Sequence, residues 1–184
     1  MRLRLIWLVT GVSASLLALL CGNSTARSQD APAVVQVVEN HQTSWRIVSP
    51  SRDHAGVTFA IEELQKYVEL ISGANLPVDD RPQGGPRIVV GLRGELAEAD
   101  RTALPLPAQG YDGYAIAVRG GAQPTILVAG DNARGTLYGV YELLERVGGV
   151  RFLDARTEHV PRRAVWEVPV DLSLRGQPAF ARRE

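Results

Sequence analysis

Between Val57 and Ser72 the apolar residues Val57, Ile61, Leu64, Val68 and Ile71 recur at spacings of four, three, four and three, with Ala60 and Tyr67 widening the stripe. A run of that period must bury one face of a helix, so whatever else the chain builds has to cover it. Gly73 suits the left-handed residue that ends a helix, and Pro77 forbids continuation. A strand at Trp45 to Val48, closed by Pro50, precedes this helix.

The rest of the pattern alternates. Ile88-Val89-Val90 reads as a short buried strand at Arg87 to Gly91, introduced by the turn residues Pro82, Gly84, Gly85 and Pro86. A polar, Pro-containing loop then runs to Gly110. Tyr114 to Val118 and Thr125 to Ala129 flank Gly120-Gly121 and should pair as an antiparallel hairpin. A second helix is expected from Ala133 to Val147, capped by Asp131 or Asn132 and stopped by Gly148-Gly149, with Leu137, Tyr141, Leu144 and Val147 on its apolar face and Tyr138 alongside. Val150 to Leu153 is the next strand, and Val165 to Val168 one more. Helix crossovers and antiparallel pairing in one small unit imply an α/β, or α+β sandwich, fold: a mixed β-sheet with two main helices packed on it.

The first residues belong to a different regime. Arg2 and Arg4, an apolar run from Leu5 to Leu20, and Ser24-Thr25-Ala26 form an export signal over 1–26. The run is too short and too often broken by Thr10, Gly11, Ser13 and Ser15 to span a bilayer. A secreted or periplasmic protein, with no membrane contact after signal removal, is expected. Cys21, the one cysteine, keeps open a lipoprotein alternative, against which Leu20 argues because lipoprotein signals place a small residue there. The organisation expected is a signal at 1–26, a lead-in at 27–44, a domain at 45–160, and a Pro-punctuated tail at 161–184. With 20 basic and 20 acidic residues there is no electrostatic footprint of a nucleic-acid binder.

Each candidate chemistry meets a plainer explanation. Gly130-Asp131-Asn132-Ala133-Arg134-Gly135 could present backbone N–H groups to an anion but lacks both the P-loop and the dinucleotide-site spacing, so a capped strand-to-helix turn fits it better. Glu142 and Glu145, Glu62-Glu63 and Asp79-Asp80 are acidic pairs that cannot face one another across a sugar. His41, His54 and His159 have no metal-ligand spacing, and neither Ser49-Pro50 nor Ser72-Gly73 resembles a nucleophile elbow. Trp45, Trp166, Tyr111 and Tyr114 could stack on a sugar, but aromatics at strand positions are more often core or interface residues. No catalytic, cofactor-binding or metal-ligating residue is assigned, and no cofactor is implied.

The segments Ala60-Ile61-Glu62-Glu63-Leu64-Gln65-Lys66-Tyr67, Ile71-Ser72-Gly73-Ala74, Ile88-Val89-Val90-Gly91, Gly110-Tyr111-Asp112-Gly113-Tyr114 and Gly130-Asp131-Asn132-Ala133-Arg134-Gly135-Thr136-Leu137-Tyr138-Gly139-Val140-Tyr141, followed by Gly149-Val150-Arg151-Phe152, resemble the N-terminal domain of bacterial α-glucuronidase-type glycoside hydrolases of family 67. The resemblance runs from Val48 to Phe180, and the glycine-rich helix segment is its most specific part. Hexosaminidases carry a similar domain, so the resemblance implies a hexosaminidase domain 2-like fold. It further implies a non-catalytic accessory role in xylan or related glycan breakdown, beside a (β/α) barrel absent from this chain. The alternative is a stand-alone carbohydrate-binding or protein-interaction module. Apolar residues of the tail, Val165, Trp166, Val168, Leu172 and Phe180, are expected to be open to such a barrel unless the tail folds back.

Overall fold

A computed structural model describes residues 33–79, 84–105, 111–154 and 156–177. These all fall in the compact unit that runs from Ala31 to Glu184. Residues 1–26, where an export signal is expected, and Asp80 and Phe180 lie outside the described residues.

Six strands form the main sheet in the order β10 (Ser173–Gly176), β5 (Tyr114–Arg119), β6 (Thr125–Gly130), β4 (Arg87–Leu92), β2 (Arg46–Val48), β3 (Val78–Asp79). β6, β4, β2 and β3 run parallel, while β5 and β10 pair antiparallel at one side. The mixed sheet and the β5–β6 hairpin are as the sequence implies. All six residues of β6 and four of β4 are buried, which is why these central strands read as unbroken apolar runs.

Helix α1 (Ala55–Ser72) crosses between β2 and β3, and α3 (Ala133–Leu143) follows β6. Both pack on the face made by Ile47, Ile88, Val90, Ile116, Ile126 and Val128. The stripe Val57, Ala60, Ile61, Leu64, Tyr67, Val68 and Ile71 is buried, and Gly73 closes α1 at φ 71°, donating its N–H to Glu69 O. The second helix differs from expectation at its end. Its α-helical part stops at Leu143, and a single π turn, Leu144–Gly148, follows. The wider turn lets two successive residues, Leu143 and Leu144, both face the core.

The opposite face of the sheet corrects the sequence picture. Arg93 to Leu104 is not an open loop: a 3₁₀ turn (Arg93–Glu95) leads into the short helix α2 (Glu98–Ala103). Leu96 and Leu104 cover Val89, Ala115, Ala117, Leu127 and Ala129. Buried Asp100 holds α2 in place through ion pairs with Arg119 and, at 3.6 Å, Arg87. Short helices without a full amphipathic repeat leave no periodic signal.

Both flanks of the expected 45–160 domain also enter the fold. The lead-in supplies β1 (Val34–Val38) and the tail β9 (Trp166–Pro169), which pair antiparallel as a separate ribbon. The tail then adds β10 to the sheet edge beside β5. It therefore folds back: Trp166 and Val168 are 1% and 0% exposed, Leu172 is half-buried, and Val165 alone of the four described residues is exposed. The expectation of an uncovered apolar tail fails because the ribbon gives these side chains the same core as α1. A last hairpin, β7 (Arg151–Phe152) with β8 (Glu158–His159), lies outside the main sheet.

Candidate functional site

In open α/β sheets ligands bind outside the carboxyl ends of the strands, where the strand order reverses. Here the chain moves from β2 outward to β3 and returns to β4 on the other side of β2, so the reversal lies between β2 and β4. That crevice is filled. Pro50 and Ser51 press on Gly91, where a side-chain Cβ would stand 3.0 Å from Ser51 Oγ, and Ser51 Oγ accepts the Leu92 N–H at 2.9 Å. Above them Gly56 of α1 meets Ala133 of α3 so closely that a Cβ on the glycine would lie 2.9 Å from the alanine methyl. Glu95 and His54 close the rim, His54 Nε2 lying 3.0 Å from Glu95 Oε1. Hydrogen bonds from Ser51, then His54, hold the Glu95 carboxyl below its usual range. Ser51 is buried and its hydroxyl is bound to the Glu95 carboxylate and the Leu92 amide, not to His54, so the grouping lacks the serine–histidine contact of a nucleophilic triad.

The neighbouring strand ends hold the two glycine-rich motifs against each other. Asn132 caps α3 by accepting the Gly135 N–H at 2.9 Å, and its Nδ2 donates to Asp112 Oδ1 at 2.8 Å. Arg134 pairs with the other oxygen of Asp112 at 3.3 Å. The Asp131 N–H donates to Gly113 O at 2.9 Å. Asp112 sits in the left-handed region at φ 61° and is buried, so its carboxylate is spent on fixing the turn before β5 to the start of α3. Gly135 lies where any side chain would run into Gly113 O, and a Cβ at Gly139 would come within 3.0 Å of Val128. Thr136 Oγ1 donates to Gly91 O and Asn132 O, each at 3.1 Å. The anion cradle that Gly130 to Gly135 might have offered is thus consumed by caps and a joint, with Asn132 rather than Asp131 as the cap. Asp131 instead lies 3.7 Å from Arg93 Nε, and burial lowers the Arg93 pKa against the pull of that aspartate.

The remaining candidates are dispersed. Glu142 pairs with Arg146 at 2.7 Å, while Glu62 and Glu145 make no side-chain hydrogen bond or ion pair among the described residues. Glu63 accepts the Tyr141 hydroxyl at 2.9 Å and Asp79 pairs with Arg46 at 3.5 Å. Trp45 and Trp166 are core residues, the Trp45 indole N–H reaching Gln36 O at 2.6 Å. Tyr114 packs over Gly176 and under Gly139, whereas Tyr111 is 77% exposed. His41 is a hairpin residue, His54 precedes α1, and His159 lies in β8. Among the described residues no three His, Cys, Asp or Glu gather as a metal site, and no helix is long and apolar enough to cross a membrane.

An aromatic clasp escaped sequence reasoning. Phe152 meets Tyr67 and Tyr141 edge-on at 5.3 and 5.0 Å, Tyr67 donates to Glu158, and Tyr141 to Glu63. Burial first, then the bonded carboxylate, raises both phenols, Tyr141 to about 12. The i, i+4 spacing of Glu63 and Tyr67 was the available signal, but their partners lie about eighty to ninety residues away.

Comparison with known proteins agrees with this architecture. Residues 31–143 match the model described as "Glycosyl hydrolase family 67 N-terminus", a span that begins early enough to include β1. An α-glucuronidase A from Emericella nidulans is 30% identical over 112 residues, 58% of this chain and 13% of that protein. A family GH115 4-O-methyl-α-glucuronidase with specificity for decorated arabinogalactans shares the fold, at TM-score 0.52 and 16% identity, over 79% of this chain and 18% of that one. The chain thus spans less than a fifth of each relative, and both are larger by far. With its two glycine-rich motifs locked in one joint and more than half of its length matched, the chain belongs to the glycosyl hydrolase family 67 N-terminus family.

Proposed function

We propose that this chain acts as the non-catalytic N-terminal domain of a secreted α-glucuronidase-type hydrolase that works on glucuronic-acid-bearing xylan or a related glycan, bracing a (β/α) barrel supplied by a longer polypeptide or another chain. The observation that carries this reading is the joint at the strand ends: Asp112, Asn132, Gly135 and Thr136, from the two glycine-rich segments, are engaged with one another and with backbone. Hydrolysis of a glycosidic bond needs an acid and a base or nucleophile opposed across it, and most of the carboxylates considered above are tied instead to arginine, histidine or tyrosine partners.

The test is a hydrolysis assay of the purified chain on glucuronoxylan fragments and aryl glucuronides. No release of uronic acid above buffer is expected, and turnover that a Glu142→Gln, Glu145→Gln double variant abolishes would overturn the accessory role. Export is tested separately: intact mass of the exported protein should place the mature N-terminus at Arg27, and a diacylated Cys21 would replace that reading with a lipoprotein. The alternative of a glycan-binding module draws support from a groove at the opposite end of α1.

A further inference from the structure

The C-terminal end of α1 borders an open groove with a cavity volume of about 740 Å³, lined among others by His41, Lys66, Glu69, Leu70, Arg162 and Arg163. Most arginines of the described residues meet a carboxylate: Arg46, Arg87, Arg93, Arg101, Arg119, Arg134 and Arg146 are all in ion pairs. Arg162 and Arg163 are in none among the described residues, nor are Arg151, Arg156 and Arg175, but the first two line one groove.

The groove is built by backbone, not by stray surface side chains. The Arg163 N–H donates to Ile71 O at 2.7 Å, fixing the segment to the end of α1. Its guanidinium lies against Gly149, where a Cβ would stand 2.8 Å from Nη2, and Gly149 holds φ 75°, a conformation that excludes most side chains. On the other wall the hairpin residue His41, itself at φ 65°, donates its backbone N–H to Ala164 O at 3.2 Å. Its Nδ1 lies 2.7 Å from Ser72 O, a carbonyl, so Nδ1 is the donor there and Nε2 is the ring nitrogen that this bond leaves unused. Lys66 is turned away to Glu63 and the Tyr67 ring.

We infer that this groove binds an acidic sugar, the carboxylate meeting Arg162 and Arg163 and the ring lying along Leu70. Guanidinium forks match a carboxylate in shape and charge. Glu69 supplies acceptors and His41 Nε2 a further polar atom for hydroxyl groups, and Leu70, 46% exposed in the same groove, supplies an apolar surface for the C–H face. A simple inorganic anion would use the arginines but neither Glu69 nor Leu70. The inference rests on the reading of the domain as part of a uronate-releasing enzyme, for which such a groove would hold a uronic-acid branch of the glycan.

The experiment is an amide-shift titration of the full chain with sodium glucuronate, methyl glucoside, sodium sulfate and a glutamate-rich peptide. Glucuronate should shift the amides of Leu70, Gly73 and Ala164 saturably, methyl glucoside should not, and sulfate should bind at least about tenfold more weakly, the worth of one charge-assisted hydrogen bond. Arg162→Gln should weaken glucuronate about tenfold at unchanged melting temperature, and Arg163→Lys should retain part of the binding, since it keeps the charge but not the fork. No response to glucuronate, or an equal response to sulfate or methyl glucoside, overturns the inference, and tighter binding of the peptide replaces the sugar with a protein partner. The hydrolysis assay is independent of this titration: a silent groove leaves the accessory role standing, and turnover by the chain alone would remove that role without touching the groove.

Discussion

Replacing Asn132 by alanine tests the joint between the two glycine-rich motifs. Two bonds go at once: the N-cap to the Gly135 N–H and the donor to the buried Asp112 carboxylate. Loss of a cap costs about 0.5 to 2 kcal/mol. Removing a neutral donor from a buried carboxylate costs about 1.5 to 3 kcal/mol, here at the low end because Arg134 remains 3.3 Å away. The sum is about 2 to 4 kcal/mol, which for a chain of this size moves the melting temperature by roughly 5 to 15 °C. The companion variant is Asp112→Gly, which removes the carboxylate while suiting the left-handed backbone there. Urea titration of the two single variants and the double variant gives the coupling directly. The double variant should fall short of the sum by about 1 to 2 kcal/mol, as expected for residues in contact. Additivity within about 0.5 kcal/mol, or a loss below that figure for Asn132→Ala alone, would refute the joint.

Leu64, fully buried at the centre of α1, should cost about 2 to 5 kcal/mol when cut to alanine, read by the same denaturant titration. Alkaline stability follows from the phenols. Tyr67, Tyr114 and Tyr141 all ionise later in the folded chain than in the unfolded one, so the unfolded state sheds protons first and stability, complete below about pH 10, falls as pH rises toward 12. Tyr141→Phe and Tyr114→Phe should each flatten that decline in melting temperature between about pH 10 and 12, and an unchanged slope would mean these phenols are not held protonated.

The parts of the fold legible in the sequence were those with a period or a punctuation mark. The α1 stripe, Gly73, the Gly120-Gly121 hairpin and the cap at Asn132 each declare themselves locally. What was not legible depends on distance in the chain. Val34–Val38 looks like any short apolar stretch until Trp166–Pro169 pairs with it, and α2 is held by Asp100 against arginines of two strands. Asp112 stood out only through the family resemblance, because a buried aspartate in a left-handed turn has no pattern of its own. Arg162 and Arg163 look like two surface charges until Gly149 and Ile71 are seen to place one of them.

The β1–β9 ribbon sets the order in which the molecule can be made. Val35 and Val168, partners in the ladder, are separated by most of the chain, and β10, which completes the sheet edge, comes later still. While the polypeptide is being synthesised, α1, β4 and the β5–β6 hairpin emerge first and can assemble from near neighbours. The face of the core under Val35, Val37 and Val38 stays open until Trp166 and Val168 arrive. Closure of such distant pairs is slow, because the loop entropy must be lost before the contact is gained. A nascent chain stopped short of Pro169 lacks the partner strand that covers this apolar face, and the last two strands act as the latch that closes it.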